Sequence, residues 1–124
     1  MSPIYTFDDF IKSEPLLCAN RWFEFDTYRA YVRMRHRVIC GKRLLCCDLA
    51  NIEVYPSYRR TGILSSFIQH LLHTTVAKVV YVENVLEKEQ YGIYERRNFT
   101  RETAIGGTVS FYQFTKHYAE TQED

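Results

Sequence analysis

The chain has 124 residues, enough for one domain with a single modest core. Its 46% apolar and 25% charged content, with a formal net charge of +1, is too balanced to predict nucleic-acid or membrane binding from charge alone. No apolar run approaches the roughly 20 residues of a membrane helix and no signal-peptide core follows Met1, so the expectation is a cytoplasmic protein.

In chain order, Tyr5 to Lys12 reads as a short helix, with Thr6 as N-cap, Asp8 and Asp9 in the first turn and Pro15 beyond its end. Residues 22–39 read as one extended run. A turn at Gly41-Lys42 and a second extended run from Arg43 to Tyr55 follow, stopped by Pro56. Ile63, Leu64, Phe67, Ile68, Leu71, Leu72 and Val76 recur at helical spacing and form one apolar stripe. Val79 to Val82 is a short β-branched strand, and Glu87 to Arg97 reads as a second helix. Gly106-Gly107, between Phe99–Ala104 and Thr108–Phe114, marks a hairpin. This order specifies an α/β domain in which a helix crosses between neighbouring parallel strands. Residues 1–118 are expected to form one compact domain, with 119–124 a frayed polar tail.

Cys18, Cys40, Cys46 and Cys47 contain no CxxC pair and read as reduced thiols, most of them filling core space. The adjacent Cys46 and Cys47 would point to opposite faces of a strand. His70 and His73 lie one turn apart with no third ligand in view, so they read as exposed helix residues rather than a metal site. Arg29, Tyr31, Arg33, Arg35 and Arg37 alternate along one strand and share a face. Such a row suits an acidic protein surface, a phosphate-bearing substrate or RNA, or serves only as a solvated face that discourages edge pairing.

The chemistry concentrates where the long strand meets the striped helix. There Ile52-Glu53-Val54-Tyr55-Pro56-Ser57-Tyr58-Arg59-Arg60-Thr61-Gly62-Ile63-Leu64 runs from strand through loop into helix. Backbone N–H groups at a helix N-terminus, with the positive end of its dipole and a glycine that permits close approach, suit a pyrophosphate.

This segment resembles the cofactor motif of the GNAT superfamily of acyl-CoA-dependent N-acetyltransferases. That motif is an apolar residue-x-Val-x-Pro-x-(Tyr or Arg)-Arg-x-x-Gly-x-(Gly or Ala) segment, matched by Ile52, Val54, Pro56, Tyr58, Arg59 and Gly62. The chain departs from it at Leu64 and at Arg60, where glycine is common. Downstream, Tyr94-Glu95-Arg96-Arg97-Asn98-Phe99 resembles the family's Tyr-x-x-x-Gly-Phe ending, with Asn98 replacing Gly. The family's usual Asn position falls on Glu87, with Asn84 an imperfect stand-in. The two segments span about half the chain.

The resemblance implies a mixed α+β fold with a mostly antiparallel central sheet, splayed for coenzyme A and flanked by helices. It also implies acetyl-CoA as cosubstrate. The backbone of Ile52 to Val54 would pair with the pantetheine arm, and amides among Arg59, Arg60, Thr61, Gly62, Ile63, Leu64 and Ser65 would grip the pyrophosphate, with Asn84 nearby. Tyr94 takes the position of the tyrosine that protonates the departing thiolate. An amine of pKa about 10.4 needs a base near neutral pH. The resemblance to histone-acetylating relatives offers Asp48, and Glu53 stands nearest the thioester end and is slightly preferred. The N-terminal region, reduced to one short helix, implies an open acceptor groove and a macromolecular acceptor, a protein lysine or N-terminus. The alternative is a GNAT-like module without catalysis that binds a protein or nucleic acid; Leu64, Asn98 and the displaced Asn favour it.

Overall fold

The structure, a computed structural model, describes residues 6–15 and 18–121. Its first element, α1 (Phe7–Lys12), is closed by a capping box: Thr6 Oγ1 accepts from Asp9 N at 3.1 Å, and the Asp9 carboxylate accepts from Thr6 N at 3.2 Å. Tyr5, part of the sequence-based helix, lies outside the described residues.

The single run expected over 22–39 is two strands, β1 (Ala19–Glu24) and β2 (Tyr28–Ile39). Asp26 and Thr27 favour a turn, and Phe25 N donates to Tyr28 O at 2.9 Å to close it. The next turn also falls one residue from the sequence reading. Ile39 pairs with Lys42, so the loop is Cys40-Gly41, with φ of 52° and 79°. Two positive φ values make a type I′ hairpin, whose twist matches its strands.

The second strand of that hairpin, β3 (Lys42–Val54), carries the irregularity that organises the domain. Ala30 pairs with Ile52 and Tyr31 with Asn51, yet Val32 pairs with Leu49. Ala50 is therefore an extra residue, a β-bulge that reverses the alternation of faces. Leu49 and Ile52 consequently point the same way, onto the helices. Asp48, opposite Arg33, and Glu53, opposite Arg29, both join the other face despite their opposite parity.

Helix α2 (Ile63–Thr74) packs the expected stripe onto that sheet, with Phe67, Ile68, Leu71 and Leu72 buried. The chain then returns as β4 (Val79–Val82), parallel to β3. The expected helix over 87–97 is a 3-10 turn at Lys88–Gln90 followed by α3 (Tyr91–Glu95). The hairpin β5 (Thr100–Thr103) and β6 (Val109–Phe114) turns at Gly107, where φ is 89°. A last helix, α4 (Lys116–Thr121), has no apolar signature in the sequence; Thr115 caps it by accepting from Tyr118 N at 3.1 Å. It takes in Ala119, Glu120 and Thr121 of the expected tail, and residues 122–124 lie outside the described residues.

The strand order is β1-β2-β3-β4-β6-β5, with β3–β4 the one parallel pair among the described residues. The main core lies between this sheet and the helices. A smaller cluster of Ile39, Cys46, Val79 and Tyr81 occupies the opposite face. Cys46 and Cys47 divide between the two clusters, and burial pushes the Cys46 thiol up to about 12. All four cysteines are free, but Cys18 and Cys40 are exposed, so core filling accounts for two of them. Among the described residues no helix is long and apolar enough to cross a membrane.

Buried Thr75 ties the layers together: its hydroxyl donates to Ile11 O at 2.7 Å and accepts from Ala77 N at 3.2 Å. Thr75→Val keeps the shape but orphans a buried N–H. It should lower unfolding stability by about 1–3 kcal/mol, read as a shifted denaturation midpoint with an unchanged denaturant slope. An unshifted midpoint would show that this bond contributes nothing.

Candidate functional site

β3 pairs with β4 only from Cys46 to Leu49, and the bond from Glu83 N to Leu49 O, at 3.0 Å, is the last between the two segments. Beyond it β3 continues to Val54 while the other strand's chain turns toward β6. There Asn84 adopts φ 50° and donates to Ser110 Oγ at 3.1 Å, and Val85 N donates to Val109 O at 2.8 Å. The sheet is thus forked. Just past the end of β3, Tyr55 N turns to the β2 side and donates to Thr27 O at 3.0 Å, while Val54 O points away and accepts from Arg59 Nε at 3.1 Å. By strand alternation the N–H and C=O of Ile52 face the fork as well.

The fork opens into a cleft of about 1150 Å³. It collects Ile52, Glu53, Val54, Arg59, Arg60, Gly62, Ile63, Leu64 and Ser65 from the sequence-based set. Gly62, the N-cap of α2, has φ 83°, and a Cβ added there would meet nothing within 4 Å. The first N–H groups of α2 have no intrahelical partner and end at this cleft, where the helix dipole is positive. Arg60 also has positive φ, 64°, a conformation that costs a non-glycine residue roughly 1 kcal/mol. That cost explains why glycine suits the position. Thr61 Oγ1 donates to Tyr58 O at 2.5 Å and pins the loop. Leu64 does not plug the cleft: it is partly buried in the wall and packs on the core.

Four residues of the set lie elsewhere. Thr61 faces a neighbouring groove of about 580 Å³ with Phe7, Phe25, Tyr28 and Phe67. Asn84 lines a third cavity. Tyr94 is buried, its ring stacked on Phe111 at 5.0 Å and edge-on to Phe99 at 5.7 Å, while its neighbour Ile93 lines the cleft. Burial pushes its phenol up to about 12. Asp48 is fully buried beside the fork. The cleft also holds Glu87, where the family's Asn was expected to fall, and two residues that sequence reasoning missed, Glu89 and Gln90. They arrive on the 3-10 turn before α3 and its N-cap, within the segment the sequence reads as the start of a helix.

The two carboxylates proposed as base differ sharply. Glu53 is half-exposed and holds Arg29 Nε at 2.5 Å. Asp48 accepts from Arg37 through Oδ2, at 2.8 Å from Nε and 2.7 Å from Nη2, while its buried Oδ1 has no partner among the described residues. Desolvation pushes its carboxyl up to about 6, against the opposing pull of Arg37. Arg37 also bonds Glu83 Oε1 at 2.6 Å and lies over the Tyr81 ring at 4.0 Å. Arg33 reaches Glu83 Oε1 at 3.6 Å. Arg29, Arg33 and Arg37 of the arginine row are therefore matched by carboxylates of their own face, which weakens the row as a nucleic-acid surface. On α2, His70 hydrogen-bonds Asp8 at 2.7 Å and His73 Nδ1 bonds Gln69 O at 2.8 Å.

No protein-family model and no curated protein matches this chain. Among solved structures it resembles a mutant AtaT toxin bound to the C-terminus of the antitoxin AtaR and acetyl-CoA, with a TM-score of 0.60 and 10% identity over 79% of this chain. It spans 64% of that AtaT chain. The same mutant bound to the AtaR C-terminus gives a TM-score of 0.54 and 14% identity, over 77% of this chain and 65% of that one. A KacTA–DNA complex gives 0.54 and 12%, over 79% and 74%. The fold is the GNAT-like mixed sheet, mostly antiparallel and flanked by helices.

The Asp48 environment sets a pH dependence. Its folded pKa lies above the unfolded value of about 4, so between about 4 and about 6 the native state holds a proton that the unfolded chain has lost. Stability should fall as pH rises through that window, by roughly 3 kcal/mol for two pH units. Denaturant midpoints at pH 4 and 7 should show this loss in the wild type and not in Asp48→Asn. Parallel pH profiles would place the titration elsewhere.

Proposed function

We propose that the chain is an N-acetyltransferase that moves an acetyl group from acetyl-CoA to an amine of a protein, a lysine side chain or an N-terminus. The observation that carries this reading is the forked sheet. A strand edge with no neighbouring strand, Ile52 to Val54, and the N–H groups of a helix N-terminus at Gly62 share one open cleft. An extended amide-bearing arm ending in a pyrophosphate is the chemical complement of both features. The acetyl-CoA held by the AtaT neighbour accords with it.

In the transfer the amine nitrogen bonds to the thioester carbonyl carbon and the carbon–sulfur bond breaks. An ammonium acceptor gives up two protons: one reaches solvent through the base and the other ends on the departing sulfur. Asp48 suits the base role better than Glu53. With its carboxyl near 6 it is ionised at neutral pH yet basic enough to take a proton, whereas Glu53 is engaged by Arg29 in solvent. Tyr94 stays protonated throughout this range. Giving its proton fully to a thiolate of ordinary pKa, about 8.5, is uphill by roughly 5 kcal/mol, and its ring is buried between Phe111 and Phe99 outside the cleft, so Tyr94 is a poor acid for that step.

A second reading, a binding module of the same fold without catalysis, draws on Glu87 and Glu89 in the cleft and on Arg59 occupying Val54 O. The antitoxin and DNA in the neighbouring structures make a protein or nucleic-acid partner the natural companion of that reading. Gly62→Asp and Gly62→Asn separate the two. Both must adopt the same left-handed conformation, which Asn and Asp tolerate better than most residues, and only Asp adds charge. Acetyl-CoA should bind, and acetylate an amine-bearing peptide, at least tenfold less well with Asp than with Asn. Equal behaviour of the two variants would remove the pyrophosphate from this loop.

A further inference from the structure

The strand edge at the cleft is not bare. Ile52 to Val54 has no neighbouring strand, yet Val54 O receives a hydrogen bond at 3.1 Å from Arg59 Nε, five residues further along the chain. The guanidinium thus folds back over the strand edge from the loop that leads to Gly62, and both residues line the same cleft. We propose that Arg59 is a latch that selects the acyl donor by charge. It closes on Val54 O, is drawn off by a phosphate group at the start of α2, and so admits an amide-bearing arm to the edge when that arm carries an anion. The proposal rests on the acetyltransferase reading and names the feature of the donor, its phosphate, that opens the site.

Three observations lead there. The first is that the Arg59 charge has no counter-ion. Arg29, Arg33, Arg37 and Arg101 each face a carboxylate, whereas neither Arg59 nor Arg60 forms an ion pair among the described residues. An exposed hydrogen bond from a guanidinium to a neutral carbonyl is a weak hold. Phosphate takes the same group through two parallel charge-assisted bonds, so exchanging Val54 O for phosphate is downhill.

The second is that the exchange needs only side-chain rotation. The loop backbone is held on both sides of Arg59: Tyr58 N donates to Tyr55 O at 2.8 Å, and Thr61 Oγ1 donates to Tyr58 O. Arg60 and Gly62, with φ of 64° and 83°, complete the turn into α2. Arg59 itself is extended, with φ −68° and ψ 149°, and exposed, so its side chain can swing while the loop stays in place.

The third is placement. Val54 is the last residue of β3, the loop that carries Arg59 follows it, and the first N–H groups of α2 open into the same cleft. One side chain therefore joins the strand edge, where a neutral arm pairs, to the helix end, where an anion sits. Two ligands that act on one latch are linked, each raising the affinity of the other by the same factor. The phosphate-bearing and neutral parts of the donor should thus bind cooperatively even when they are separate molecules.

The test uses such fragments. The isotope-labelled full chain is titrated with inorganic pyrophosphate at constant ionic strength. Shifts of the Ile63, Leu64 and Ser65 amides report the anion, the Arg59 Nε and Val54 carbonyl-carbon resonances report the latch, and all should move together. S-acetyl-pantetheine, which has no phosphate, should bind about fivefold more tightly with pyrophosphate present than without it. Arg59→Met should bind S-acetyl-pantetheine about fivefold more tightly than the wild type and acetyl-CoA at least fivefold less tightly, with no remaining effect of pyrophosphate on the neutral thioester. Arg60→Met, which removes an equal charge from the same cleft, should weaken acetyl-CoA alone. Opposite signs for the two donors in Arg59→Met mark a latch. A plain phosphate ligand would leave the neutral donor unchanged and a structural prop would weaken both, and either result would overturn the proposal. So would a Val54 carbonyl that stays still while the α2 amides respond. Helix amides that respond to neither pyrophosphate nor acetyl-CoA would strike down the transferase reading together with the latch.

Discussion

Everything at the candidate site follows from a mismatch in strand length. β3 has 13 residues and β4 has 4, so the parallel pairing ends at Leu49 while the longer strand runs on. Backbone amides left without a partner must be satisfied by water, a side chain or a ligand, and an edge that opens into a cleft invites the last. The bulge at Ala50 adds the second ingredient. Without it, Asp48 and Glu53 would face opposite sides of the sheet; with it, both stand with the arginines, and Leu49 and Ile52 both close the core. One extra residue thus separates an apolar floor under the helices from a charged face at the fork.

The charged network around Arg37 is hard to explain as a stabilising device. Replacing a buried ion pair by apolar residues of similar volume is often neutral or favourable, because desolvation offsets the Coulomb attraction. Asp48 illustrates the cost, its raised carboxyl recording the desolvation that Arg37 does not fully compensate. A carboxyl raised toward neutrality stands here beside a cavity and the strand fork. Its charged neighbours pull in both directions: Arg37 and Arg35 of β2 lower its pKa, and Glu83, just past β4, raises it. The helix N-terminus and strand edge at the cleft, by contrast, are built from backbone and need little from side chains.

The legible parts of the sequence were those with a period or a local turn chemistry. The stripe from Ile63 to Leu72, the β-branched Val79–Val82 and the Thr6 cap appear where those signals put them, since each depends on neighbours a few residues away. The strand-to-helix junction was readable for the same reason, and most of its residues line one cleft. Three features were not readable. The turn after Glu24 has no glycine or proline, and the bulge at Ala50 is imposed by pairing across the sheet. The meeting of Arg37, Asp48 and Glu83 depends on a three-strand register that no local pattern encodes. The split of Asn84 from the cofactor set has the same origin, because its left-handed turn follows from where β4 ends.

The most direct measurement is a calorimetric titration of the unmodified full chain with acetyl-CoA, run beside coenzyme A. Saturable binding of one equivalent with a Kd of roughly micromolar order is the expected result. The two ligands should bind alike, since the strand edge and the helix amides meet the pantetheine and the pyrophosphate that both share. No detectable heat at millimolar ligand would contradict the fork as a coenzyme site and leave the protein an interaction module on a GNAT-like fold.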